Sequence, residues 1–183
     1  RKAVTAGLAA AMALSMAFTP AVALAAPGAT GQITVTAVSG DNASTKYSAY
    51  QIFAGDVVDK DGSKTVANIA WANDSVRTAV VNAIKAEDSS YADPTDASAS
   101  AQQAAEFINA HITGTNNTTI LDNASFGNKL ADAVGGIADK TTVTPGTAAS
   151  LPEGYYLIVT ADVNGKVDQN GTSPIFAIVG GSA

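Results

Sequence analysis

The chain has 183 residues, a net charge of -6, no cysteine, one histidine and one tryptophan. The acidic balance argues against nucleic-acid binding, which needs a basic face. Without cysteine there are no disulfides, so stability must come from packing or from some other crosslink.

Arg1 and Lys2 precede an apolar run from Ala6 to Phe18, then Pro20 and the small-residue pattern Ala23-Leu24-Ala25. A basic start, a short apolar core and an A-x-A site together read as a secretory signal peptide over residues 1–25. Because the sequence begins at Arg1 rather than Met, the amino end of that signal is expected to be incomplete. A transmembrane anchor is the rival reading, but a run of about 13 residues is short against the roughly 20 needed to span a bilayer. Cleavage after Ala25 removes 25 of the 183 residues and leaves 158, enough for one domain with a sizeable core. The two charges removed, Arg1 and Lys2, are both basic, so -6 becomes -8. Residues 26–183 are expected to form a single exported domain, and no later segment is apolar and long enough to cross a membrane.

After a short lead from Pro27 to Gly31, residues 32–38 alternate: Ile33, Val35 and Ala37 share one face, Thr34 and Thr36 the other. That is the pattern of a half-buried strand. A second strand is predicted over Tyr47–Asp56. Asp59-Lys60-Asp61-Gly62 then forms a tight turn, with Asp-Gly supplying positive φ, and residues 65–69 return toward Trp71. The period then changes. Val76, Ala79, Val80, Ala83 and Ile84 line one face of a helix capped by Asn73 or Asp74. Ser100-Ala101-Gln102-Gln103 resembles a capping box opening a second helix, with Ala101, Ala104, Ala105, Ile108 and Ile112 in line. After a polar loop from Thr113 to Thr119, a third helix carries Phe126, Leu130, Val134 and Ile137, weakened at its end by Gly135-Gly136.

Thr141–Thr144 reads as another strand. The main hairpin follows, built from Leu151–Val159 and Ser173–Val179, with turn dipeptides Asn164-Gly165 and Asn170-Gly171 between them. Alternation puts Tyr155, Leu157 and Val159 against Tyr156 and Ile158, and Ile175, Ala177 and Val179 against Phe176 and Ile178. Both faces are apolar, so both need cover, whereas a one-sided sheet alternates with polar residues. The order of strands, helices and strands predicts a mainly β, α+β domain: a β-sandwich with a helical insertion of about three short helices on one sheet.

With those elements in view, the chain resembles the amino-terminal domain of a sortase-assembled major pilin, a fimbrial shaft protein of Gram-positive bacteria. The resemblance rests on Tyr47-Ser48-Ala49-Tyr50-Gln51-Ile52-Phe53-Ala54-Gly55-Asp56, Asn68-Ile69-Ala70-Trp71, Gly154-Tyr155-Tyr156-Leu157-Ile158 and Ser173-Pro174-Ile175-Phe176-Ala177-Ile178-Val179-Gly180. It implies an immunoglobulin-like β-sandwich, further isopeptide-forming domains beyond Ala183, and a secreted, cell-wall-attached pilus as the location. It also implies other pilin subunits and a pilus sortase as partners. A sorting motif of the Leu-Pro-x-Thr-Gly kind is absent, since Leu151-Pro152-Glu153-Gly154 lacks the threonine, and so is a Tyr-Pro-Lys-like motif. The sortase acceptor lysine is therefore expected outside this sequence. The alternative function is an adhesive module of a tip or minor pilin that recognises host protein or glycan.

No catalytic, cofactor-binding or metal-binding residues are assigned. An internal isopeptide bond needs a lysine beside an Asn or Asp and a buried acid; Lys46 and Glu153 flank strands, where side chains are usually solvated, so no such bond is expected. His111 lacks a His or Cys companion for a metal. Asp59-Lys60-Asp61-Gly62 lacks the later ligands of a calcium loop. Asn116-Asn117-Thr118 matches a glycosylation triplet that matters only in a eukaryotic pathway. Tyr47, Tyr50, Tyr155 and Tyr156 form either an aromatic binding patch or, more commonly, core and cross-strand pairs. The lysines, Lys46, Lys60, Lys64, Lys85, Lys129, Lys140 and Lys166, are expected mostly in turns or on wet helix faces.

Overall fold

A computed structural model describes residues 29–36, 46–61, 63–112, 126–161 and 174–181. The elements run β1 (Thr30–Ile33), β2 (Tyr47–Lys60), β3 (Ser63–Trp71), α1 (Asp74–Glu87), α2 (Ala97–Ile112), α3 (Phe126–Val134), β4 (Thr141–Val143), β5 (Ala149–Pro152), β6 (Gly154–Thr160) and β7 (Ile175–Val179). Two antiparallel sheets result. The larger has the order β3-β2-β6-β7, with β4 also paired to β2; the smaller is β1 with β5.

The two-faced hairpin explains the layering. Tyr155, Leu157, Phe176 and Ile178 join one core with Val76, Val80 and Ile84 of α1, Ala104 and Ile108 of α2, and Leu130 and Val134 of α3. Tyr156, Ile158, Ile175, Ala177 and Val179 join a second core with Val35, Leu151, Ile33 and Ala149. The helices thus cover one face of the large sheet and the small sheet covers the other, as the apolar alternation requires. Val159, placed by alternation with Leu157, packs at the margin of the helical core.

Strand β2 serves both cores by alternation, and a bulge adds one more residue to the helical side. Tyr47 and Ala49 face the small sheet, while Tyr50 and Ile52 face the helices. The register against β6 slips between Gln51↔Tyr156 and Phe53↔Tyr155, giving β2 one extra residue, and Phe53 joins Ile52 on the helical side. A second slip lies between Ala54↔Ala70 and Asp56↔Ala67, where β3 holds the extra residue. Asn68 there has φ 51, a conformation Asn tolerates better than most side chains.

Several boundaries differ from the sequence reading. β1 spans Thr30–Ile33 rather than residues 32–38, but Ile33 and Val35 still turn inward and Thr34 and Thr36 outward. β2 and β3 run on until Lys60 pairs with Ser63, and Asp61 in the turn has φ 55. Asn73 caps α1, its side chain accepting from the Val76 amide at 2.9 Å. The second helix opens earlier than expected. Asp96 caps it, with Oδ1 accepting from Ala99 N at 2.8 Å and its carbonyl from Ser100 N at 2.9 Å. Ser100 is therefore a buried residue within α2 and not a cap. Strand β5 was not anticipated as a separate element. The signal peptide, the 113–119 loop, the Asn116 triplet and the Asn-Gly turns at 164 and 170 lie outside the described residues.

Candidate functional site

Pro152, Glu153 and Gly154 form the step by which the chain passes from the small sheet to the large one. Pro152 ends β5. Gly154 has φ 150, and a Cβ there would sit 2.2 Å from the Phe53 carbonyl oxygen, so only glycine lets β6 start this close to β2. Glu153, between them, uses every polar group it has. Its amide donates to the Ala29 carbonyl at 3.0 Å, and its carbonyl accepts from Gln51 Nε2 at 3.0 Å. Its Oε2 accepts from Val57 N at 3.1 Å and its Oε1 from Gly181 N at 3.0 Å.

The segment after β7 is held a second time. Lys64 Nζ donates to the Gly180 carbonyl at 2.6 Å. Gly31 packs directly beneath: a Cβ on it would lie 2.4 Å from Gly180 N. Beside this junction runs a polar groove of about 450 Å³ lined by Thr30, Gln32, Lys64, Ser150 and the backbone of Gly180 and Gly181. Both Glu153 oxygens are taken up by backbone donors, an arrangement that holds chain segments in place rather than moving protons. The expectation that Glu153 is solvated is therefore corrected: it is half-buried, because three segments distant in sequence converge on it.

Lys46 and Glu153 are not brought together. The ladder pairs Tyr47 with Thr160 and Ala54 with Gly154, so the two residues stand at opposite ends of it. At about 3.3 Å per residue that is roughly 20 Å. Lys46 instead donates to Thr144 Oγ1 at 3.2 Å. Of the other lysines, Lys64 is half-buried at the junction, a correction to its expected place on a wet surface. Lys129 pairs with Glu87 at 2.6 Å, Lys85 is exposed, and exposed Lys140 lies 6.0 Å from the Tyr50 ring centroid. Lys60 lies at the end of β2, and Lys166 is outside the described residues.

The four tyrosines are core residues. Tyr47, Tyr50, Tyr155 and Tyr156 are all buried, so they offer no aromatic surface to a ligand. His111 ends α2, stacked on Phe107 at 3.8 Å between ring centroids, with Nδ1 at 2.8 Å from the Phe107 carbonyl. A carbonyl only accepts, so Nδ1 carries the proton. Among the described residues no group of three or more His, Asp or Glu could hold a metal ion, and no helix is long and apolar enough to cross a membrane.

A second polar cluster escaped the sequence reading. Trp71 Nε1 donates to Ser100 Oγ at 2.9 Å, and Ser100 Oγ donates to Asp93 Oδ1 at 2.5 Å. Arg77 Nη2 donates to Asp93 Oδ2 and to the Pro94 carbonyl, both at 2.8 Å. Burial pushes the Asp93 carboxyl up, but the Ser100 hydroxyl and the Arg77 guanidinium outweigh it and hold it below the usual carboxylate range. Ser100 has no exposed surface, so this is a staple from the end of β3 to the α1–α2 connection and not a nucleophile within reach of substrate. The partners are 7 to 29 residues apart, and no local spacing marks them. The chain matches no protein-family model and no curated protein.

Proposed function

We propose that this chain is a structural subunit domain of a covalently assembled cell-surface pilus or fimbria. One observation carries the reading. The stretches that resemble the pilin family occupy the four neighbouring strands of a single sheet: residues 47–56 in β2, 68–71 in β3, 154–158 in β6 and 174–180 around β7. A resemblance spread along the sequence thus falls on one contiguous framework, including the bulged end of β3 and the glycine step into β6. The finer architecture in this reading is an immunoglobulin-like sandwich, with β1 and β5 as the smaller layer. Other pilin subunits and a pilus sortase are its partners, acting through regions beyond this domain.

The test uses the native host. Cell-wall extracts boiled in detergent are probed with antibody raised to this domain. A ladder of covalent multimers, lost when the pilus sortase is deleted, is the expected result. A single monomer band would overturn the proposal. Such a band, together with capture of host protein or glycan by the purified domain, would favour the adhesive alternative.

A further inference from the structure

We infer that Glu153 carries tension between the incoming and outgoing segments of this domain, so that stretching the chain spares its two cores. The strand directions bring the two segments to one pole. β1 begins at Thr30, opposite Pro152, and β7 ends at Val179, opposite Gly154. Glu153 stands between those two partners. The covalent path from Ala29 to Gly181 passes through every strand and helix of the described residues. The path across Glu153 consists of one residue and two hydrogen bonds, Ala29 O to its amide and Gly181 N to its carboxylate.

A short stiff link in parallel with a long compliant one takes most of an applied load. This link is also anchored. Val57 N on the second carboxylate oxygen and Gln51 Nε2 on the carbonyl fasten Glu153 to β2, the strand that pairs with β3, β4 and β6. Lys64 on the Gly180 carbonyl reinforces the outgoing side. The Glu153 bonds lie just outside the ends of the β1–β5 and β6–β7 pairings, so tension between residues 29 and 181 falls on them first. A structural glutamate that merely stabilised the fold would show no such dependence on the direction of pull. This role follows from the path of the chain and holds whatever surface structure the domain serves.

The experiment is single-molecule stretching of the full chain in two geometries. In one, folded handle domains are fused at the two ends. In the other, handles are attached at exposed positions away from the junction through Glu106→Cys and Thr147→Cys, the chain having no cysteine of its own. Glu153→Gln keeps one acceptor oxygen but presents an NH₂ where the other stood. A carboxylate holds its N–H partners more strongly than a neutral amide, and the new NH₂ cannot accept from Val57 N or Gly181 N, so the end-to-end unfolding force is expected to fall. The force between positions 106 and 147 should change far less. Lys64→Met, which removes only the Gly180 contact, should give the same directional contrast on a smaller scale and serves if Glu153→Gln does not fold. Equal losses in both geometries, or no loss end to end, would overturn the inference.

Discussion

Tyr155 and Tyr156 follow one another on β6, and their hydroxyls end in different surroundings. Tyr156 Oη donates to the Pro152 carbonyl at 2.8 Å, whereas Tyr155 Oη is buried with no hydrogen-bond partner among the described residues. Burial pushes both phenols well above their ordinary range, with the Asp139 charge adding to the shift at Tyr156. An unpaired buried hydroxyl keeps its desolvation penalty, so Tyr155→Phe should leave stability unchanged or raise it by up to about 1 kcal/mol. Tyr156→Phe should lower it by about 1 kcal/mol. Denaturant melts of the two variants decide the matter, and the reverse order would contradict this account of β6. Asp93 gives a second residue-level expectation. Its folded pKa is depressed, so its contribution is present above the unfolded carboxylate value of about 4 and is lost as pH falls through the lower folded value. The fall in stability between about pH 5 and pH 3 should be shallower in Asp93→Asn than in the wild type; equal slopes would show that the Arg77 and Ser100 contacts do not favour the charged form.

Elements whose signal is a period were legible in the sequence. Val76, Val80 and Ile84 in α1, and Leu130 and Val134 in α3, repeat at helical spacing because helices this short depend on burying one stripe. The two-faced β6 was legible because alternation carries apolar residues on both sides. Where two local signals overlapped, the sequence misled: Ser100-Ala101-Gln102-Gln103 fits a capping box, but Asp96 lies one turn earlier and takes the free amides first. β5 was missed because Ala149 and Ser150 are neither β-branched nor aromatic, and its pairing with β1 spans more than a hundred residues. The Glu153 junction was hidden for the same reason, since its carboxylate partners are 96 and 28 residues away. The layering itself can be measured. Leu157 is fully buried in the helical core and Thr34 is exposed. Leu157→Ala should cost about 2–5 kcal/mol, and Thr34→Ala no more than about 0.5 kcal/mol. Similar small losses at both positions would count against a sheet covered on two faces.

At the scale of the molecule, the large sheet of the described residues is closed on one side by α1, α2 and α3 and on the other by β1 and β5, and the two sheets are joined through Glu153. Lys46 lies at the far end of the β2–β6 ladder from that acid. The folded protein is accordingly expected to show an intact mass equal to its sequence mass, and loss of one ammonia or one water would reveal an internal crosslink. The most direct test of the junction is amide hydrogen exchange, read residue by residue by NMR on the full chain. Val57 and Gly181 donate their amides to the Glu153 carboxylate, so both should exchange slowly in the wild type. In Glu153→Gln their exchange should quicken while the amides of β6 within the large sheet keep their protection. A Gly181 amide that already exchanges at the rate of an open chain in the wild type would contradict the arrangement, because the outgoing segment would then not be held by Glu153.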